Sequence, residues 1–117
     1  FSVSGQLARA SCPLTENGTV RIMSSTGYSR EIQFTPGELI ARIRQFSTRT
    51  DHEFWEDSIS LRNGAIFAED FIHSSRQLTD LYLLALAVNH KGRLATFDEK
   101  IPLSAACHAK EKNLCLI

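Results

Sequence analysis

Long hydrophobic runs are missing from this sequence of 117 residues. The longest apolar stretch, residues 81–88, has eight residues, whereas a helix that crosses a bilayer needs roughly 20. The N-terminus also lacks the basic-then-apolar pattern of a signal peptide. We therefore expect a soluble, cytoplasmic protein that does not enter the membrane.

An excess of either charge is absent as well. Lys and Arg together number 13, Asp and Glu number 13, and the formal net charge is zero with the four His neutral. Because no field of the whole molecule attracts a polyanion, any contact with nucleic acid has to use local groups.

Cysteine is scarce, with three residues at positions 12, 107 and 115. An odd number without a CxxC pair argues against a disulfide framework and against a zinc knuckle. With 43% hydrophobic residues and no repeat or linker-like tract, the composition is that of a globular protein, which we assign to a single domain over residues 1–117.

Helix start and stop signals define the first half of the chain. Pro13 suits a first helical position and Gly27 a stop, so they predict a helix over residues 13–25. The run TPGE at residues 35–38 combines an N-cap, an early proline and a capping-box glutamate, which predicts a second helix ending near Ser47.

The second half has one clear helix and several short strands. Residues 78–90 are apolar on nearly every side, which is typical of a buried helix, and Lys91-Gly92 supplies its stop. Residues 57–75 read mostly as loop, with one helical turn near residues 65–69. Alternating polarity predicts strands over residues 7–11, 52–55, 93–97 and 113–117. Strands alternating with helices predict an α/β layer fold with parallel pairing.

Three acidic residues occupy positions where an unpaired carboxylate would be costly. Glu16 shares the apolar side of its helix with Val20, and Asp80 shares that of its helix with Leu84. Asp98 follows a predicted strand, at the end where ligands gather in open α/β sheets. Both helical acids stand in a first turn, so all three can converge at one sheet edge.

Converging carboxylates repel unless a cation joins them. Oxygen donors without His or Cys at zinc spacing favour a hard ion such as Mg²⁺ or Mn²⁺, which suits phosphoryl chemistry. Each acid alone also has an ordinary explanation, because first-turn acids stabilise helices and aspartate is common in turns. The residues by themselves therefore leave a structural role open beside the metal site.

Longer motifs give the pattern a family resemblance. The stretches LTDLYLLALA at residues 78–87 and GRLATFD at residues 92–98 resemble the third and fourth acidic motifs of PIN-domain nucleases. The stretches CPLTENG at residues 12–18 and HEFW at residues 52–55, with Arg76-Gln77, are similar to the VapC toxin branch.

The resemblance implies a three-layer sandwich with a parallel sheet flanked by helices. It implies an endoribonuclease that uses Mg²⁺ or Mn²⁺, with Glu16, Asp80 and Asp98 as catalytic metal ligands. It also implies an RNA substrate, a VapB-type antitoxin as partner, and a homodimer as a further assembly. We expect the antitoxin groove to include the surface around Phe46, Phe54 and Trp55.

Three further residues are weaker candidates near the same site. Arg76 precedes Asp80 by four positions and is placed to hold a phosphate or to cap the acids. Thr79 and Thr96 are placed to orient the neighbouring carboxylates by hydrogen bonds. Thr79 has the alternative role of helix cap.

One departure from the family is serious. PIN domains open with a central strand that ends in an Asp-x-Asn type motif, and the first Asp of this chain is Asp51. Either these residues are the C-terminal part of a longer domain, without the first central strand, or they form a degenerate relative, and we expect the first. Two unpaired strand edges and poor nuclease activity are the expected consequences.

Two other function classes compete with the nuclease. A non-catalytic PIN-like module that binds protein or RNA is favoured by the missing first acid. A phosphoacceptor signalling domain also gathers acids at strand ends, but it needs a Lys after a late strand. Lys100 follows Asp98 too closely for that role, so this class ranks last.

Overall fold

A computed structural model describes residues 3–4, 9–25, 27–29, 31–48, 51–96 and 100–116, and the structural statements below concern these residues. They form three α-helices, five strands and four short 3₁₀ helices. The principal elements are β1 (Val3–Ser4), β2 (Arg9–Ser11), α1 (Pro13–Met23), α2 (Pro36–Ser47), β3 (His52–Phe54), α3 (Leu78–Asn89), β4 (Arg93–Thr96) and β5 (Leu114–Leu116).

The five strands form one sheet in the order β3-β2-β1-β4-β5. The outer pairs, β2 with β3 and β4 with β5, are parallel, as the alternation of strands and helices predicted. The α/β class and its parallel pairs are thus confirmed.

The centre of the sheet differs from the expectation of a missing strand. Val3 pairs with Ala10 on one side and Leu94 on the other, and both pairings of β1 are antiparallel. The expected gap with two unpaired edges is therefore wrong, because the two residues of β1 lie between β2 and β4. Two residues are too short for alternation to reveal a strand in the sequence.

The helix boundaries follow the start signals closely. The Thr35 hydroxyl accepts the backbone N–H of Glu38 at 3.2 Å, as the capping motif predicted, and α2 ends at Ser47. The first helix ends at Met23, two residues before the predicted end.

The hydrophobic core is built around α3. Six of its twelve residues are buried, whereas α1 buries only Thr15 and α2 only Leu39. The third helix contacts β1 and β4, and α1 packs mainly against α2. The third helix ends at Asn89, one residue before the predicted end at residue 90, and Lys91, with φ of 58°, adopts the left-handed conformation just after it.

The segment between β3 and α3 is mostly loop, as expected. Its helical turns are 3₁₀ helices at Glu69–Phe71 and Ser75–Gln77, so the turn predicted near residues 65–69 lies a few residues later. Within the described part of the chain, no helix combines the length and the apolar character needed to cross a membrane.

Candidate functional site

Glu16 lies in the first turn of α1, directly after the carboxyl end of β2. The backbone N–H of Cys12, the N-cap, donates to the Thr15 hydroxyl at 2.9 Å, and Pro13 opens the helix. The Glu16 N–H donates to the Cys12 carbonyl at 3.0 Å, which fixes its backbone. A carboxylate in this turn is stabilised by the positive end of the helix dipole.

Two polar contacts in series hold the Glu16 side chain. Ser11 Oγ donates to Oε2 of Glu16 at 2.9 Å, and the same Oγ lies 2.8 Å from Nε2 of His52. All three side chains are half-buried. The Phe46 ring stands nearly perpendicular to the His52 ring, with centroids 5.1 Å apart, and limits where the imidazole can lie.

Open clefts flank Glu16 along α1 and α2. One has a volume of about 540 Å³ and the other of about 510 Å³, and Glu16 and Ile43 line both. The remaining walls are largely apolar and include Val20, Met23, Leu39, Ile40 and Phe46. The Glu16 carboxylate is therefore within reach of a bound ion or ligand.

Asp80 is the third residue of α3 and is half-buried. Leu84 and Ala87, on the same side of the helix, are completely buried at 0% exposure, as the helical wheel predicted. On α1 the corresponding side is only half-buried at Val20. Asp80 thus stands at the edge of the core, and Glu16 stands in a cleft.

Asp98 lies outside the residues that the structure describes. On one side of it in the sequence, Thr96 ends β4. On the other side, the backbone carbonyl of Lys100 accepts a hydrogen bond from Nε2 of Gln77 at 2.6 Å. Gln77 is the N-cap of α3. The chain is therefore tied to the start of the Asp80 helix just after Asp98.

The described residues do not show the three predicted metal ligands together, because Asp98 is not among them. Among these residues, no group of three or more His, Cys, Asp or Glu side chains is arranged to hold a metal ion. Glu16 and Asp80 supply carboxylate oxygens, which suit Mg²⁺ or Mn²⁺ in kind. Convergence of Glu16, Asp80 and Asp98 stays a prediction.

The weaker candidates are at the surface or at element ends. Arg76 is exposed, and its backbone N–H donates to Ser74 Oγ at 3.2 Å. Thr79 is exposed in the second position of α3, so the alternative that it caps this helix is wrong, because the N-cap is Gln77. Thr96 is half-buried at the end of β4.

Tyr82 of α3 forms a polar link that the sequence did not indicate. Burial raises the pKa of Tyr82 to about 12, and the negative charge of Asp57 and a hydrogen bond to it act in the same direction. The phenol therefore keeps its proton at neutral pH, and its hydrogen bond to Asp57 joins α3 to the loop after β3.

Ser11 and His52 were not among the site residues predicted from the sequence, although His52 opens the HEFW stretch. They are 41 positions apart and meet because β2 and β3 pair in parallel, with Arg9 opposite His52. That register is a long-range property which one sequence does not reveal. The available signal was local: Ser11 is a hydroxyl residue just before a helix that carries an acid.

The antitoxin surface stays a prediction, and its three expected residues differ in exposure. Phe54 is 51% exposed and Phe46 is half-buried beside a cleft. Trp55 is only 4% exposed, and its ring stacks on that of His90 with centroids 4.4 Å apart. Trp55 therefore belongs to the core and not to a docking surface.

Comparison with known proteins gives close relatives of one kind. The chain is 40% identical to ribonuclease VapC44 of Mycobacterium tuberculosis (strain ATCC 25618 / H37Rv), over 98% of this chain and 81% of that protein. It is 36% identical to ribonuclease VapC39 of the same strain, over 83% of this chain and 69% of the relative. No family model matches the chain, and no solved structure matches it.

Proposed function

The chain belongs to the VapC ribonucleases, and from this membership we propose that it cleaves RNA as the toxin of a VapBC-type pair, with a divalent cation. The observation that carries the proposal is the similarity to a named ribonuclease over nearly the whole chain. The identity of the cation and of the residues that hold it is a further part of this proposal.

We assign the cation to Glu16, Asp80 and Asp98. Glu16 supports this role because its carboxylate lines open clefts at the end of β2. The hydrogen bond from Gln77 to the Lys100 carbonyl brings the backbone two residues after Asp98 in the sequence to the start of α3, which carries Asp80. When bound, Mg²⁺ or Mn²⁺ would polarise a phosphodiester oxygen and promote ionisation of the attacking water.

An antitoxin partner fits the apolar surface around α1 and α2. Ile22 is 40% exposed and Ile40 is 47% exposed, and the clefts beside these helices are lined mainly by apolar side chains. Covering such a surface is favourable for a partner with apolar side chains. We propose that the antitoxin binds here, beside Glu16. The homodimer stays a prediction.

Metal titration tests the assignment directly. We expect Asp98→Asn to weaken Mn²⁺ binding by roughly tenfold or more, measured by isothermal titration calorimetry, while the folded state persists. Asp70→Asn is the matched control, since Asp70 is exposed on the 3₁₀ helix Glu69–Phe71. Equal Mn²⁺ affinity in Asp98→Asn and in the parent chain would place the cation elsewhere.

RNA cleavage tests the activity itself. No Asp precedes Asp51, so a first acid is missing and we expect little cleavage by the 117-residue chain. A variant in which a strand that ends in Asp takes the place of Val3–Ser4 between β2 and β4 is expected to cleave a mixed RNA pool in a reaction that requires Mn²⁺ and stops with EDTA. Bound metal without cleavage by either protein would favour the non-catalytic module.

A further inference from the structure

We infer that Ser11 and His52 are positioning residues for Glu16, with Ser11 orienting the carboxylate and His52 orienting Ser11. The observation is the pair of short contacts that Ser11 Oγ makes with Glu16 and with His52, at 2.9 Å and 2.8 Å. The inference rests on the proposed function, because it assigns these residues to the orientation of a metal ligand.

Proton counting gives the two contacts a direction. A serine hydroxyl has one proton, and ionised Glu16 can only accept, so the Ser11 proton points to Glu16. The contact with His52 is then a hydrogen bond only if Nε2 carries a proton and donates it to Ser11 Oγ. The geometry thus assigns His52 Nε2 as a donor and leaves Nδ1 on the far side of the ring.

The hydrogen bond also distinguishes the two oxygens of Glu16. Ser11 occupies Oε2, and among the described residues no hydrogen bond is made to Oε1. The hydrogen bond therefore restrains the orientation of the carboxylate that would hold a cation. Hydrogen bonds of this kind orient ligating carboxylates in metal sites.

The groups that restrain Glu16 stand on regular elements. Ser11 is the last residue of β2, and its carbonyl accepts the backbone N–H of Trp55 at 2.8 Å. His52 opens β3, and the Phe46 ring packs against its imidazole. Because both backbones are held by strand pairing, the hydroxyl and the imidazole present a fixed geometry to Glu16.

Replacing Ser11 tests its role. We expect Ser11→Ala to weaken Mn²⁺ binding by about 10- to 100-fold in calorimetry, the range typical of groups that orient a ligand. Ser11→Thr keeps the hydroxyl and should restore most of the affinity. Ser25→Ala is the matched control, because among the described residues its hydroxyl bonds the Ile22 carbonyl near the end of α1 and not Glu16.

Stability is measured on the same variants without metal. A merely structural hydroxyl would lower the urea midpoint of Ser11→Ala but leave Mn²⁺ affinity of the folded protein unchanged, and that result would overturn the inference. If Ser11→Ala does not fold, Ser11→Cys takes its place, since it has nearly the same size and only a weak donor. Parent affinity in Ser11→Cys would also overturn it.

A double-mutant cycle tests His52. His52→Ala should weaken Mn²⁺ binding less than Ser11→Ala does, and adding it to Ser11→Ala should change nothing further, because it acts through the hydroxyl. His73→Ala serves as the control, since His73 is exposed. Additive losses would show that His52 acts independently of Ser11 and would contradict the inference.

Glu16→Gln separates this inference from the proposed function. If Glu16→Gln weakens Mn²⁺ binding and Ser11→Ala does not, the metal assignment stands and the positioning role fails. If Glu16→Gln leaves Mn²⁺ affinity at the parent value, Glu16 is not a ligand. Both the assigned site and the inference then fail together.

Discussion

The two described candidate acids stand on helices that differ in burial, Glu16 on α1, which pairs with α2, and Asp80 on α3. Each acid stands in the first turn of its helix, where the helix dipole favours a carboxylate. The third helix buries half of its residues, whereas α1 and α2 bury one residue each. Core packing therefore fixes the helix that carries Asp80, whereas α1 is little buried and the Glu16 side chain is held by its hydrogen bond with Ser11.

This difference in burial separates the region that determines the stability of the protein from the region that is accessible to ligands. The helix α3 and the strand β4 carry the core, so changes there are expected to unfold the protein before they alter a site. The α1–α2 pair exposes large apolar side chains and open clefts around Glu16. Changes on this pair are expected to affect binding more than folding.

The largest effect on the free energy of unfolding is expected in the buried helix α3. Leu84 is 0% exposed and belongs to the main core cluster. Leu84→Ala should lower the free energy of unfolding by about 2 to 5 kcal/mol, through lost burial and the cavity left behind. Urea denaturation followed by circular dichroism measures it. A cost near zero would mean that α3 is no better packed than α1–α2, and the difference in packing between the two regions would be refuted.

The same division explains what the sequence could predict. Helix signals are local: Thr35, Pro36 and Glu38 lie within four positions, and the structure realises both the cap and the helix they predicted. Burial of α3 also followed from its continuous apolar composition. Such features need no knowledge of which segments meet in space.

Long-range pairings could not be predicted in this way. The antiparallel pairing of Val3 with Ala10 and Leu94 depends on two residues, too few for a pattern. The contact of Ser11 with His52 depends on the parallel register of β2 and β3. For Glu16 and Asp80, the sequence predicted that each acid lies on the apolar side of its helix. It did not predict that this side of α1 borders a cleft.

A smaller effect on the free energy of unfolding is expected at Tyr82 of α3. Tyr82→Phe removes the hydrogen bond to Asp57 and should cost about 0.5 to 1.5 kcal/mol at neutral pH. Tyr28→Phe is the matched control, because Tyr28 is 48% exposed. A cost in Tyr82→Phe no larger than that in Tyr28→Phe, measured in urea, would show that the loop after β3 is not tied to α3.

The pH dependence sharpens this prediction. The pKa of Tyr82 is raised from 10.0 to about 12 in the folded protein, first by burial and then by Asp57. Above pH 10 the unfolded chain loses this proton before the folded protein does, so stability falls as the pH rises toward 12. Tyr82→Phe should reduce that fall between urea titrations at pH 9 and pH 11, and an unchanged fall would assign it to other groups.

The smallest effect on the free energy of unfolding is expected at an exposed position of α2. Ile40 of α2 is 47% exposed and lines the cleft of about 540 Å³. Ile40→Ala removes little buried surface and slightly improves helix propensity, so the free energy of unfolding should change by no more than about 0.5 kcal/mol. The urea conditions used for Leu84→Ala make the two changes directly comparable. A loss as large as that of Leu84→Ala would place Ile40 in the core, and α2 would then be as well packed as α3.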